Sequence, residues 1–136
     1  MIKDADREEN EIIKSLFDDL MRAPLQKFPA QRGELAAPKE QGVYIIYSPS
    51  HDVLHVGSTP KARNGIAQRL RNHLSARSSF ASRYLNGDGS RLRQGYVFRC
   101  LVVENRRLRA LLEAFAIGHL CPAHIGHSSA VTAQTE

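Results

Sequence analysis

Two short runs of β-forming residues on either side of a turn constrain this chain more than any other feature. Residues Gly42–Tyr47 read Gly-Val-Tyr-Ile-Ile-Tyr, and residues 53–56 read Val-Leu-His-Val. β-Branched and aromatic residues of this kind favour strands. The intervening residues 48–52 include Pro49 and Asp52, which suit a turn. The pattern therefore predicts a β-hairpin.

Segments with helical periodicity lie on both sides of this hairpin. Apolar residues recur every three or four positions over 8–22 and over Arg106–Leu120. A further helix is predicted to follow the hairpin, with Ser58 or Thr59 as its cap and Pro60 in its first position. A short helix over 78–85 and a third strand over 96–103 complete the pattern. The expected fold class is α/β (α+β), with a small central three-stranded, mainly antiparallel sheet flanked by helices.

The length of 136 residues is that of one domain with a single substantial core. Residues 1–41 are predicted to form an N-terminal amphipathic helix and an irregular connector rich in proline. The main domain is expected to span residues 42–127, and residues 128–136 to form a flexible tail. The N-terminal helix could serve internal packing, a homodimer or a partner protein.

The charge of the chain is segregated along its length. Seven acids lie among the first nineteen residues, whereas residues 58–109 carry twelve lysines and arginines against two acids. Arginine dominates the basic segment, and its planar guanidinium can donate two hydrogen bonds to one phosphate. This distribution indicates a nucleic-acid partner, DNA with RNA not excluded, rather than only a basic soluble surface. The residues expected to contact it are Lys61, Arg63, Arg71, Arg77 and Arg83.

The cysteines and the hydropathy pattern favour a cytoplasmic protein without a membrane partner. Cys100 and Cys121 form no CxxC pair, no secretory signal is visible, and no apolar run approaches about 18 residues. A cluster of potential zinc ligands follows the last helix, comprising His119, Cys121, His124 and His127. Its spacing matches no common structural zinc pattern, and histidines are also favoured at the negative end of a helix dipole.

Several side chains suited to phosphate chemistry follow one another in a fixed order. Arg69 and His73 are four residues apart and so share one face of the predicted helix. Glu113 lies in the otherwise apolar run 111–117. Because an unpaired buried carboxylate is costly, Glu113 either lies at the rim of the apolar face or is paired with a positive group, either a hard divalent cation or an arginine such as Arg109.

The ordered set of Gly42-Val43-Tyr44, His55-Val56-Gly57, Arg69, His73 and Glu113 resembles the GIY-YIG nuclease domain family over residues 42–122. The resemblance implies a metal-dependent endonuclease that hydrolyses DNA phosphodiester bonds with Mg²⁺ or Mn²⁺. By the same resemblance, Glu113 is the metal ligand and Arg69 stabilises the transition state. Tyr44 is expected to position or deprotonate the attacking water, and His73 to orient the phosphate or relay a proton.

Two departures from the family pattern keep other functions open. His55 stands where the second motif usually has tyrosine, and the asparagine that commonly follows the glutamate helix is missing after Pro122. An ordinary imidazole near neutral pH could act as a base at position 55, with an inflection at about pH 6 to 7. The alternatives are a catalytically weak or inactive nucleic-acid-binding module and, less supported, a protein-interaction domain.

Overall fold

The computed structural model describes residues 4–30, 33–60 and 65–125, with side chains described from residue 8 onward. In chain order the elements are α1 (Asp4–Arg22), β1 (Gln26–Lys27), β2 (Gly42–Tyr47), β3 (Val53–Ser58), α2 (Gly65–Leu74), α3 (Ser79–Arg83), a 3₁₀ helix (Gly89–Arg93), β4 (Val97–Val102) and α4 (Arg106–Leu120). Lys61, Arg63, His127 and the expected tail over 128–136 lie outside the described residues. None of the described helices is long and apolar enough to cross a membrane.

The strands form one antiparallel sheet in the order β1-β4-β2-β3. The predicted fold class is confirmed, including the hairpin of β2 and β3. The sheet has four strands rather than the expected three, because the connector supplies β1, which pairs Gln26 with Phe98 and Lys27 with Val97. A two-residue strand carries no periodic pattern by which a sequence could reveal it.

The central strand β2 is buried along its whole length and separates two layers of helices. Val43, Ile45 and Tyr47 pack with the core residues of α1 and α4 on one face. Tyr44 and Ile46 point to the opposite face, toward α2 and α3. This alternation, which follows from the period of two along a strand, directs Tyr44 toward the helix that carries Arg69 and His73.

The connector between α1 and β2 packs into the domain. Phe28 is buried with its ring 5.0 Å from that of Phe98. Farther along, the carbonyls of Pro38 and Glu40 accept hydrogen bonds from the first amides of α2, those of Ala67 at 2.8 Å and Ile66 at 2.9 Å. The connector thereby satisfies backbone donors that a helix N-terminus otherwise leaves unpaired.

The prediction that Thr59 caps the helix after the hairpin is wrong. Thr59 is buried and extends the hairpin, because its amide donates to the Gly42 carbonyl at 3.0 Å and its hydroxyl accepts from the Gly42 amide at 3.1 Å. The helix α2 begins at Gly65, where φ is +52° and a β-carbon would collide with the Glu40 carbonyl. Glycine is the residue that tolerates both conditions.

Candidate active site

A cavity of about 310 Å³ opens where the end of β3 meets α2, the start of α3 and α4. Its walls include His55, Gly57, Ser58, Arg69, His73 and Glu113. Four of the five predicted catalytic side chains therefore line one cavity. The fifth, Tyr44, is fully buried beneath it and reaches it through His73.

Tyr44 reaches this position because its cross-strand partner is a glycine. Tyr44 pairs with Gly57 in the hairpin, and a β-carbon at Gly57 would collide with the Tyr44 ring and hydroxyl. The small residue thus leaves room for the phenol beside the cavity. Burial and the nearby Glu113 carboxylate raise the pKa of Tyr44 to about 12, whereas Arg69 beside the hydroxyl acts in the opposite direction.

His73 connects two hydroxyl groups in a buried hydrogen-bonded chain. Its Nε2 lies 2.7 Å from the Tyr44 hydroxyl and its Nδ1 lies 2.7 Å from the Ser78 hydroxyl. Burial and the surrounding groups His55, Arg69 and His124 lower the pKa of His73 well below its ordinary value. His73 is therefore neutral at physiological pH, with one nitrogen as donor and the other as acceptor.

His55 is buried in an aromatic environment without polar partners. Its ring stacks on Phe80 with centroids 5.0 Å apart and lies 5.3 Å from the ring of His124. Neither ring nitrogen has a hydrogen-bond partner among the described residues. Burial, followed by repulsion from His124 and Arg69, lowers the pKa of His55 to about 3, although the His124 backbone partly offsets this shift. The expectation of an ordinary histidine titrating at about pH 6 to 7 is wrong at this site.

Glu113 faces the cavity from α4 and is half-buried. One of its oxygens accepts a hydrogen bond of 2.7 Å from the Ser58 hydroxyl. The alternative ion pair with Arg109 does not form, because the Arg109 guanidinium is buried and donates to the carbonyls of Thr59, Val103 and Glu104. No described cation pairs with the Glu113 carboxylate, which leaves it able to bind a hard cation together with water and phosphate oxygens.

Comparison with known proteins shows which fold holds this site. No family model and no curated protein matches the chain at a significant level. Among solved structures, a tyrosine-to-phenylalanine mutant of the GIY-YIG N-terminal endonuclease domain of UvrC from Thermotoga maritima, bound to its catalytic divalent cation, aligns with a TM-score of 0.51. It is 23% identical, and the alignment covers 71% of this chain and 94% of that one. The chain has a GIY-YIG-like fold.

Two further structures of the same UvrC domain support this assignment. A second tyrosine-to-phenylalanine mutant has a TM-score of 0.51 at 22% identity, and an asparagine-to-alanine mutant has 0.50 at 23%. Both alignments cover 71% of this chain and 94% of the other. At this level of identity the likeness defines the fold, and the roles of individual side chains in the GIY-YIG-like domain have to be argued from their own geometry.

The residues predicted to contact nucleic acid separate into different regions of the GIY-YIG-like domain. Arg71 and Arg77 are exposed and line a second cavity, apart from the one that holds Glu113. Arg83 is exposed on α3 and lies near enough to His124 to lower its pKa, after the larger effect of burial. Lys61 and Arg63 belong to the segment that the structure does not describe.

Part of the basic segment is engaged in contacts within the GIY-YIG-like domain. Arg99 donates to the carbonyls of Met21 and Ala23 and lies over the Tyr47 ring. Arg107 pairs with Glu9 at 2.7 Å. Together with the buried Arg109, these arginines bind the chain to itself, so the raw count of basic residues overstates the charge that is free to meet a polyanion.

Three residues of the site were not predicted from the sequence. Ser78 caps α3 by accepting from the Ala81 amide, and the same hydroxyl bonds to His73. Ser58 bonds to Glu113. His124 reaches the site because residues 123–124 bond to the edge of β3, through Ala123 to the Val53 carbonyl and His124 to the Leu54 carbonyl. For Ser78 the sequence held a signal, because a serine at the start of the helix predicted over 78–85 fits the pattern of an N-cap.

The histidines and cysteine at the end of α4 point in different directions. His119 packs against Phe17 with ring centroids 5.0 Å apart, while His124 lies at the edge of β3. Within the described ranges, no three histidine, cysteine, aspartate or glutamate side chains are grouped in a way that could hold a metal ion. A cation in the candidate active site would therefore have Glu113 as its protein carboxylate, with solvent and substrate supplying the remaining ligands.

Proposed function

We propose that this chain is a divalent-metal-dependent endonuclease that hydrolyses phosphodiester bonds in DNA. The observation that carries the proposal is the grouping of His73, Arg69 and Glu113 around one small cavity. Tyr44 lies beneath it in direct hydrogen-bond contact with His73. These groups are the ones that a phosphodiester hydrolase needs: a proton acceptor, a fixed cation and a carboxylate for a metal ion. The solved UvrC domains of the same fold, crystallised with a catalytic divalent cation, agree with this interpretation.

Glu113 would hold the cation, Mg²⁺ or Mn²⁺. Its carboxylate is half-buried, is kept in place by the Ser58 hydroxyl and forms no ion pair with a cationic side chain of the described residues. Mg²⁺ commonly uses one or two carboxylates and completes its octahedron with water and phosphate oxygens. When bound, the cation would supply Lewis acidity and charge neutralisation at the phosphate.

Tyr44 and His73 would activate the attacking water together. The phenol alone is a poor base near neutral pH because burial raises its pKa to about 12. With Nδ1–H donating to Ser78, the free Nε2 of His73 can accept the proton of the Tyr44 hydroxyl at 2.7 Å while that oxygen takes a proton from water. The proton thus moves from water to Tyr44 and from Tyr44 to His73, and Ser78 stabilises the resulting imidazolium.

Arg69 would stabilise the developing negative charge. It borders the cavity, lies beside the Tyr44 hydroxyl, and its Nε is buried without a hydrogen-bond partner among the described residues. A preorganised guanidinium acts on both the incipient phenolate and the phosphate oxygens, which carry most of the charge in the transition state. Removal of one such donor costs roughly two to three orders of magnitude in rate.

A plasmid-nicking assay tests the function directly. Supercoiled plasmid is incubated with the protein and Mg²⁺ or Mn²⁺, with Glu113→Gln compared against Glu8→Gln, an exposed carboxylate on α1. We expect cleavage by the wild type and by Glu8→Gln and none by Glu113→Gln, with DNA affinity changed by less than about ten-fold because the variant keeps the side-chain shape. Equal cleavage by Glu113→Gln would remove Glu113 from the mechanism.

The same assay separates the competing functions. DNA binding without cleavage by the wild type, at either metal, would favour the catalytically inactive binding module over the nuclease. Neither binding nor cleavage would favour a protein-interaction domain, for which α1 remains the predicted surface. The cytoplasmic location in this proposal rests on the composition of the chain. The choice of DNA rests on the resemblance to the GIY-YIG family, with RNA not excluded.

A further inference from the structure

A second cavity among the described residues, larger than the candidate active site, lies outside that site. It measures about 750 Å³ and is enclosed by the connector on one side and by α2 and the segment after it on the other. The connector contributes Glu34, Leu35 and Lys39, while Arg71 and Arg77 come from the opposite wall. Cavities of this size accommodate groups as large as a nucleotide.

The walls of this cavity are strongly cationic. Four basic side chains, Lys39, Arg71, Arg77 and Arg93, face one carboxylate, that of Glu34. The side chains of Lys39, Arg71 and Arg77 form no hydrogen bond or ion pair with any other described residue. Arg93 fastens the connector by donating to the carbonyls of Pro29 and Ala30, and it keeps its charge while doing so. The unpaired cations leave the cavity suited to an anion.

The cavity and the candidate active site occupy different faces of α2. Arg71 lies two positions after Arg69 and so is rotated by about 200° around the helix axis. Because an α-helix with its side chains is about 10 Å across, one phosphate group cannot contact Arg69 and Arg71 at once. An anion in this cavity is therefore separate from the phosphodiester that is cut.

We propose that this cavity is a second, non-catalytic phosphate-binding site that holds the backbone of the nucleic-acid strand at a distance from the cleaved bond. The inference rests on the proposed function for its choice of polyanion. Guanidinium groups bind phosphate through two parallel hydrogen bonds. Leu35 of the connector and Leu74 of α2 offer apolar surface to a sugar or base. The connector is thus part of the substrate-binding surface as well as part of the fold.

The test compares two double variants with the same change in net charge. Arg71→Glu with Arg77→Glu alters the cavity, whereas Lys14→Glu with Arg106→Glu alters exposed positions on α1 and α4. Both are made in the Glu113→Gln background, and affinity for a short fluorescent DNA strand is measured across a salt series after thermal melts have established folding. We expect the cavity variant to bind about ten-fold or more weaker than the control variant, with the salt slope reduced by roughly 1.4 to 1.8.

Equal affinities of the two double variants would overturn the proposal while leaving the nuclease assignment intact. Weaker DNA binding by the cavity variant, together with no cleavage by the wild type, would support the cavity and refute the nuclease. Titration with adenosine monophosphate and with inorganic phosphate distinguishes the source of the anion. Tight, Arg71-dependent binding of the free nucleotide, with DNA affinity unaffected, would show a nucleotide site and overturn the backbone-binding proposal.

Discussion

The Tyr44 hydroxyl and the His73 Nε2 lie 2.7 Å apart, across the contact between the central strand and the helix that follows the hairpin. Both side chains are fully buried, and Ser78 occupies the other nitrogen of the imidazole. The orientation of the ring is therefore determined at both ends. The site thus couples a phenol that is hard to ionise to a neutral imidazole. Variants of Tyr44 and the pH dependence of the rate test this coupling.

Tyr44→Phe is expected to remove activity without removing the fold. The phenyl ring still fills the space over Gly57, but the proton path from water to His73 is broken. We expect the cleavage rate to fall by about 10² to 10⁴, the usual contribution of a positioned acid or base, with thermal stability reduced only slightly. Tyr47→Phe, the same change on the same strand but on the opposite face, provides the control. Full activity of Tyr44→Phe would exclude the relay.

The cleavage rate is expected to stay nearly level from pH 6 to pH 9, without an inflection at about 6.5. His55 and His73 are neutral across this range because burial lowers both pKa values, that of His55 to about 3. The pKa of Tyr44 is raised to about 12, so the phenol stays protonated as well and the relay to His73 keeps the same starting state throughout. Initial rates at constant ionic strength test this profile. A near-neutral inflection that disappears in His55→Tyr would show instead that His55 takes part in water activation.

The protein is expected to lose stability as the pH falls below about 6.5. A histidine whose pKa is lower in the folded state than in the unfolded state binds a proton more readily when the protein is unfolded. The free energy of unfolding therefore decreases as the pH falls from the pKa of the unfolded state toward the pKa of the folded state. Each such group contributes a slope of up to about 1.4 kcal/mol per pH unit. Urea denaturation at pH 7 and pH 5 measures the difference.

His55→Phe identifies the source of this acid sensitivity. The ring of His55 stacks on Phe80 and its nitrogens have no partner among the described residues, so phenylalanine can replace it without leaving a polar group unpaired. We expect this variant to be less destabilised between pH 7 and pH 5 than the wild type. His51→Phe, at an exposed turn position, is the matched control. An identical pH dependence in His55→Phe would place the acid sensitivity elsewhere.

Gly57→Ala is expected to damage both fold and activity. The new methyl group would collide with the Tyr44 ring and hydroxyl, at a cost of about 1 to 3 kcal/mol for overpacking, and would displace the hydroxyl from His73. Gly118→Ala is the control, because a β-carbon there meets nothing within 4 Å and lies in α4. That control should gain about 0.5 to 1 kcal/mol. The melting temperature should fall for Gly57→Ala and rise for Gly118→Ala, and the nicking rate should fall only for Gly57→Ala.

Local patterns predicted the parts of the fold that carry strong periodicity. The hairpin follows from two runs of β-forming residues around a turn, and α4 follows from helical spacing. Both β2 and α4 have the predicted bounds. The strand β1 was missed because its two residues are held by pairing with β4 and not by their own propensity. Thr59 fits the pattern of a helix cap, yet tertiary pairing with Gly42 uses both its amide and its hydroxyl.

The site was predictable to the extent that its residues follow a family order. Tyr44, His55, Arg69, His73 and Glu113 were named from that order, and the cavity gathers the last four above Tyr44. Their protonation states could not be read from residue type, because burial is a property of the assembled core. The contact of His124 with His55 depends on a chain reversal after α4 that leaves no periodic signal.

The hydrogen bonds from the start of α2 to Pro38 and Glu40 have a consequence for the mechanics of the site. Those carbonyls hold the N-terminus of α2 in place by hydrogen bonds, and at Gly65 the helix and the connector are in close contact. A displacement of the connector would move α2 with it. Arg69 and His73 would then shift relative to the Tyr44 hydroxyl on β2. Residues outside the candidate active site thereby influence the alignment on which proton transfer would depend.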